Sequence, residues 1–198
     1  MAPTLYGTRG SPAVRASFLA IKALGINVEF KEVDMAAGEH LTPAFLKLNP
    51  LHTVPTLEDG NFSIWDSHVI NTYLVGRYGK NDASILEISR RELLLQVLLP
   101  IFQGETKEVT NEELLIEAYG QLETLLEQST YVAGETLTLA DFSIVATVTS
   151  ANLLVPIASN RFPKISAWLA RIQKLPYYAE ANQKGLDVFA DYVKSKMA

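Results

Sequence analysis

Leu5-Tyr6-Gly7-Thr8-Arg9-Gly10-Ser11-Pro12-Ala13-Val14-Arg15-Ala16 decides how this chain folds. A short apolar strand runs into a turn carrying two glycines, Gly7 and Gly10, and the turn closes on Ser-Pro. Ser11 suits the N-cap of a helix, and Pro12 suits its first position, where a missing N–H costs nothing. Beyond Pro12, the residues Val14, Phe18, Ile21, Ala23 and Leu24 keep a helical period, and Gly25 stands where the helix should stop. Alternation over residues 27–33 then predicts a second strand. Strand, helix and strand make a βαβ unit with a right-handed crossover. Its first turn leaves the Ser11 hydroxyl beside the free N–H groups and positive dipole end of a helix, a favourable address for an anion. Taken alone, Ser11-Pro12 reads first as an ordinary capping pair.

Outward from this unit, Thr42-Pro43 opens a short helix to Leu48 by the same cap-then-proline logic. Residues 54–57 and 62–65 read as two strands joined at Asp59-Gly60, a strong hairpin signal. Asp66-Ser67 caps a further helix with Val69, Ile70, Tyr73, Leu74 and Tyr78 on its apolar face, closed by Gly79. The order βαβ-α-ββα is complete by residue 80, and a polar, turn-rich linker follows. Every later element reads as helix. Ser89 and Glu92 form a capping box for a helix over 89–102, and 111–128 is amphipathic. Thr138 and Asp141 are placed as N-cap and N3 of a helix that is apolar nearly all round over 142–155, hence buried and central. Helices over 163–175 and on to about residue 194 end the chain. The fold class is an α/β domain followed by an all-α bundle. The expected boundaries are 1–80 for the first domain, 81–85 for the linker and 86–198 for the second domain.

Composition narrows the chemistry. The 198 residues are 48% hydrophobic and carry a net charge of −5 with no basic run, which argues against nucleic acid and anionic membranes as partners. The oiliest stretch, 93–102, is interrupted by Gln96 and Pro100 and is too short to span a bilayer. The start of the chain has no basic, then apolar leader, so a cytoplasmic protein is expected. There is no cysteine, so any thiol chemistry must use a thiol brought by a ligand. The three histidines, His40, His52 and His68, lack metal-ligand spacing, and no metal is expected.

Several residues gain meaning together. Val54-Pro55 opens a strand with a residue that cannot donate a ladder bond, marking either an edge strand or a cis turn whose backbone is open to a peptide-like ligand. Asp66-Ser67 offers helix N–H groups to a carboxylate and a carboxylate to an amine. All three histidines fall in or beside these loops.

In this ordered set the chain resembles a family. Leu5-Tyr6-Gly7 with Ser11-Pro12 and Arg15, Gly38-Glu39-His40-Leu41, Asn49-Pro50-Leu51-His52-Thr53-Val54-Pro55-Thr56-Leu57, Trp65-Asp66-Ser67-His68 and Leu137-Thr138-Leu139-Ala140-Asp141-Phe142 are similar to the cytosolic glutathione S-transferases, nearest to the insect epsilon and delta classes. The resemblance implies a thioredoxin-like first domain that holds glutathione, a helical second domain and a homodimer. It implies that Ser11 hydrogen-bonds the glutathione thiolate, which attacks a small apolar electrophile. It also implies that Val54 pairs its backbone with the cysteinyl unit, with Pro55 cis. Asp66 and Ser67 would hold the γ-glutamyl end and His40 and His52 the glycine end, with Thr53 and His68 also among the glutathione-binding residues. Reduced glutathione is a co-substrate, and no cofactor is expected. Tyr6 is the rival activator, set lower because it is expected to point into the core. Asp141 reads as a structural carboxylate, and Trp168 as packing.

Over residues 80–104 the chain departs from the family. Only about four helical turns fit there before Pro100. The expectation is a shortened helix, with altered electrophile binding and glutathione binding kept. The alternative function is a catalytically weak protein that sequesters glutathione and apolar ligands.

Overall fold

The computed structural model describes residues 2–79 and 111–197. The expected helix over 89–102, and the departure at 80–104, lie outside these residues. Two compact units are present: residues 1–82 pack with 176–198, and 83–175 form the other.

The first unit is built on four short strands, β1 (Thr4–Gly7), β2 (Glu29–Glu32), β3 (Thr56–Asp59) and β4 (Phe62–Trp65), in the order β2-β1-β3-β4. β1 and β2 are parallel, as a βαβ crossover requires, and β3 runs antiparallel to both β1 and β4. The helices are α1 (Pro12–Leu24), α2 (Pro43–Leu48) and α3 (Ser67–Tyr78). α1 ends at Gly25, whose φ of 63° suits a residue without a Cβ. Leu5 and Leu57 from the sheet meet Val14 and Ile21 of α1 and Ile70 and Leu74 of α3 in one fully buried cluster. Burial of this kind is the main force holding the unit together.

Tyr6 departs from expectation. Strand residues alternate faces, so with Leu5 in this cluster Tyr6 lies on the other side of the sheet. There it is half-buried, edge-on to Phe45 of α2, with its hydroxyl donating to Glu58 at 2.8 Å. β3 also starts two residues later than expected, at Thr56 rather than Val54. Pro55 has no N–H to give the ladder.

Residues 176–198 supply a π-helical turn, Ala179–Gln183, and a terminal helix, Lys184–Met197. The turn packs along α1.

The second unit contains α4 (Asn111–Glu127), α5 (Leu139–Leu154) and α6 (Pro163–Ile172), so the terminal helix is α7. α5 is buried on nearly every face, as its sequence requires. At its N-terminus Asp141 is fully buried and accepts four hydrogen bonds. The donors are the N–H groups of Val132 and Thr138, the Thr138 hydroxyl and the Trp168 indole, at 2.9–3.0 Å. Trp168 is therefore more than filler. α6 has no capping side chain of its own, and Glu123 of α4 accepts the N–H groups of Lys164 and Ile165 instead, at 2.7 and 2.9 Å.

Candidate functional site

The strand directions bring four loops to one end of the sheet. β1 and β2 both end there, β3 begins there and β4 ends there. The last β1–β3 pair is Tyr6 with Thr56, and the first β3–β4 pair is Thr56 with Trp65. One residue further, Gly7, Pro55 and Asp66 come side by side, so the sequence-predicted loops converge because the register makes them converge.

Ser11 lies at the N-cap of α1 with φ −64° and ψ 126°, and its hydroxyl makes no capping bond. Its N–H donates to Thr8 O, and its carbonyl accepts from the Arg15 N–H, both at 3.0 Å. The backbone of a capped helix start is thus in place while the side-chain oxygen is left over. Arg9 anchors the turn before it. Its guanidinium stacks over Phe30 and Phe18, 4.6 and 5.5 Å from the ring centres, and its N–H and side chain both engage Glu32.

Residues 49–56 are set by Asn49, which is fully buried. Its amide nitrogen donates to Thr53 O, Thr53 Oγ1 and Thr56 Oγ1, and its oxygen accepts the Leu51 N–H. One side chain thereby fixes the path that presents His52, Thr53 and Val54. Sequence reading assigned Asn49 no role, although an Asn-Pro pair before a turn is a signal for one. The Val54–Pro55 peptide is cis, as the resemblance implied. Because β3 starts at Thr56, the N–H and C=O of Val54 stay out of the ladder. Pro55 is buried, Val54 half-buried, and His52 and Thr53 are exposed, with His52 at φ 47°. His40, half-buried on the loop after β2, brings its ring to 6.2 Å from that of His52, and its buried Nδ1 has no partner.

Asp66 caps α3 from φ 72°, accepting the N–H groups of His68 and Val69 at 2.8 and 3.3 Å. All of these bonds use one carboxylate oxygen, Oδ1, which also lies 3.3 Å from His68 Nδ1. The His68 side chain is the main cause that holds the Asp66 carboxyl below its usual value, with the backbone bonds adding to it. Ser67 is buried, and His68 Nε2 is buried without a partner. The Tyr6 hydroxyl is already committed to Glu58, and burial together with that carboxylate pushes its pKa above the ordinary value. Among the described residues no cluster is suited to hold a metal.

The first unit is thus a thioredoxin-like sheet with a helix-end serine and a cis-proline loop at one end. Comparison with known proteins gives the particular family. Residues 1–76 match the N-terminal domain model of glutathione S-transferases and residues 86–176 match the C-terminal domain model. The chain belongs to the glutathione S-transferase family. It is 38% identical to glutathione S-transferase 1 of Manduca sexta, over the whole of both chains. Among solved structures it is similar to an epsilon-class glutathione S-transferase from the housefly Musca domestica, with 41% identity, 98% of each chain covered and a TM-score of 0.85. It is also similar to a glutathione transferase homolog of Drosophila mojavensis solved with bound glutathione, with 36% identity, 98% and 97% of the chains covered and a TM-score of 0.84.

Proposed function

We propose that this chain conjugates reduced glutathione to small apolar electrophiles, with Ser11 as the group that holds the thiolate. The observation that carries this is the uncommitted Ser11 hydroxyl at the start of a 13-residue helix whose backbone cap is already complete. A donor in that position stabilises S⁻ over SH and lowers the thiol pKa. The thiol proton leaves to solvent. The thiolate sulfur then forms a bond to the electrophilic carbon, and the leaving group departs with its electron pair, or the pair moves into an acceptor double bond. Ser11 keeps its proton throughout.

Val54, through its unladdered N–H and C=O, pairs with the cysteinyl unit of glutathione, flanked by Thr53 and Pro55. The free Oδ2 of Asp66 accepts the γ-glutamyl amine, and the N-terminal N–H groups of α3 at Ser67 and His68 face its carboxylate. His40 and His52 hold the glycine carboxylate. The alternative of a catalytically weak ligand-sequestering protein rested on residues 80–104 and has no observation in its favour here. Domain boundaries at 80 and 86, a homodimer and a cytoplasmic location complete the proposal. Among the described residues no helix is long and apolar enough to cross a membrane.

The deciding experiment is conjugation of glutathione to a chloro-nitrobenzene, followed by absorbance, with Ser11→Ala and Tyr6→Phe alongside. Turnover in the parent, lost with Ser11→Ala and kept with Tyr6→Phe, supports the assignment. The reverse pattern overturns it.

A further inference from the structure

The turn that carries Ser11 is gripped from behind by the C-terminal segment. Arg15, one helical turn past Ser11, is completely buried, an expensive place for a cation. Burial lowers its pKa to about 10, so it stays charged at neutral pH. Its Nη1 donates to Asn182 Oδ1 at 2.8 Å, and Asn182, itself fully buried, donates through Nδ2 to the Tyr178 hydroxyl at 2.9 Å. Asn182 lies in the π-helical turn, where one extra residue re-aims the side chains of an otherwise regular helix. At the far end of α1, Lys22 pairs with Glu180 at 2.8 Å.

Gly185 makes the closest approach. A Cβ built on it would lie 2.2 Å from the Arg9 carbonyl oxygen and 2.7 Å from Arg15 Cδ. The first of these is backbone and cannot swing aside. Val188 and Phe189 then lie against Gly10. The tail therefore touches Arg9, Gly10 and Arg15, which bracket Ser11 on both sides, and Arg15 also holds the Ser11 carbonyl through its own N–H.

We infer that Asn182 and Gly185 are positioning residues: they set the height and orientation of the Ser11 hydroxyl by fixing the Arg9–Gly10 peptide and the Arg15 side chain. The inference rests on the proposed role of Ser11. A hydrogen bond that tunes a thiolate is sensitive to tenths of an ångström, so any added atom at Gly185 reaches the site through the Arg9 peptide.

The test follows the thiolate absorbance of glutathione bound to the full-length protein as a function of pH, in the parent, Ser11→Ala, Gly185→Ala, Asn182→Asp and Asn182→Ser. Gly185→Ala is expected to raise the apparent pKa of the bound thiol by about one pH unit, a roughly tenfold loss of thiolate below that pKa. The acid limb of the kcat/KM profile should move with it, while glutathione binding measured by calorimetry changes little. Asn182→Ser should act in the same direction. Asn182→Asp, which keeps an acceptor for Arg15, should restore the parent profile.

Should Gly185→Ala not fold, the two Asn182 variants decide. A Ser11→Ala protein with the parent's thiol pKa sinks the proposed function itself. If Ser11→Ala shifts that pKa but folded Gly185→Ala and Asn182→Ser do not, or if Asn182→Asp fails to restore it, the tail is only structural and the positioning role is overturned.

Discussion

Two helix starts in this molecule are built from the same kind of sequence and used differently. At the head of α5, Thr138 and Asp141 sit in a buried pocket, and both carboxylate oxygens of Asp141 are taken, by four donors. At the head of α1, Ser11 completes the backbone of the cap and leaves its hydroxyl unbonded. Nearby, His40 Nδ1 and His68 Nε2 are buried without partners. Buried polar groups in folded proteins are nearly always paired. A saturated cluster is thus a structural device, and a cluster with spare donors and acceptors at a loop-lined sheet end is prepared for a ligand. Capping chemistry alone does not separate the two helix starts, whereas their hydrogen bonds do; unpaired buried atoms alone are no mark of a site, since Ser17 of α1 and Asn71 of α3 carry them too.

The contrast can be broken most forcefully at Asp141. Asp141→Ala strands the Trp168 indole and two backbone N–H groups and is expected to cost about 3–5 kcal/mol. Urea unfolding checks this, and a loss below about 1 kcal/mol would mean that Asp141 is no hub. Ser11→Ala should do the opposite. Conjugation falls about a hundredfold, as on removing one donor to a developing anion, while the unfolding midpoint scarcely moves. A true capping serine would instead cost about 1 kcal/mol of stability. Tyr6→Phe, which loses the bond to Glu58 and the long one from Lys31, is expected to cost about 1 kcal/mol of stability and to leave turnover within about twofold.

The smallest effect is the sign of a pH slope. The Asp66 carboxyl is held below its usual value, so in the folded state it binds fewer protons than the unfolded chain does. Its contribution to stability is present above the ordinary aspartate pKa and is lost as pH falls through the depressed one. The Asp141 carboxyl is raised, chiefly by burial, so there the folded state binds more protons. Its contribution declines as pH rises from the ordinary value through the raised one. Unfolding curves across the acid range should therefore lose slopes of opposite sign in Asp66→Asn and Asp141→Asn. Slopes of the same sign would contradict the two environments described.

What the sequence revealed was local. The Ser-Pro and Thr-Pro helix starts, the Asp59-Gly60 hairpin and the all-apolar α5 follow from residues within a turn or two of each other. What it hid was long-range. Arg15 interrupts the apolar face of α1 and looks like a surface residue, because its partner Asn182 is 167 positions away. Tyr6 was expected in the core, yet strand alternation puts it opposite Leu5. The entry of β3 shifted by two residues because the proline that marks the strand also stops it from pairing. Among the loops, the histidines and Val54-Pro55 stood out by residue type, whereas Asn49-Pro50 signalled only a turn and not the buried side chain that sets the path of residues 51–56.

Because the four loops leave the sheet from four different strand ends, a change in one does not shift the register of another. Substitutions that meet different groups of the proposed ligand, such as Ser11 at the thiolate with His52 at the glycine carboxylate, should therefore combine close to additively in their effect on glutathione affinity. His40 with His52 at a ring distance of 6.2 Å, and Asp66 with His68 at 3.3 Å, are the pairs that should not. The sheet end thus behaves as a set of separately adjustable mounts, and a lineage can retune one corner of the ligand's seat without disturbing the rest.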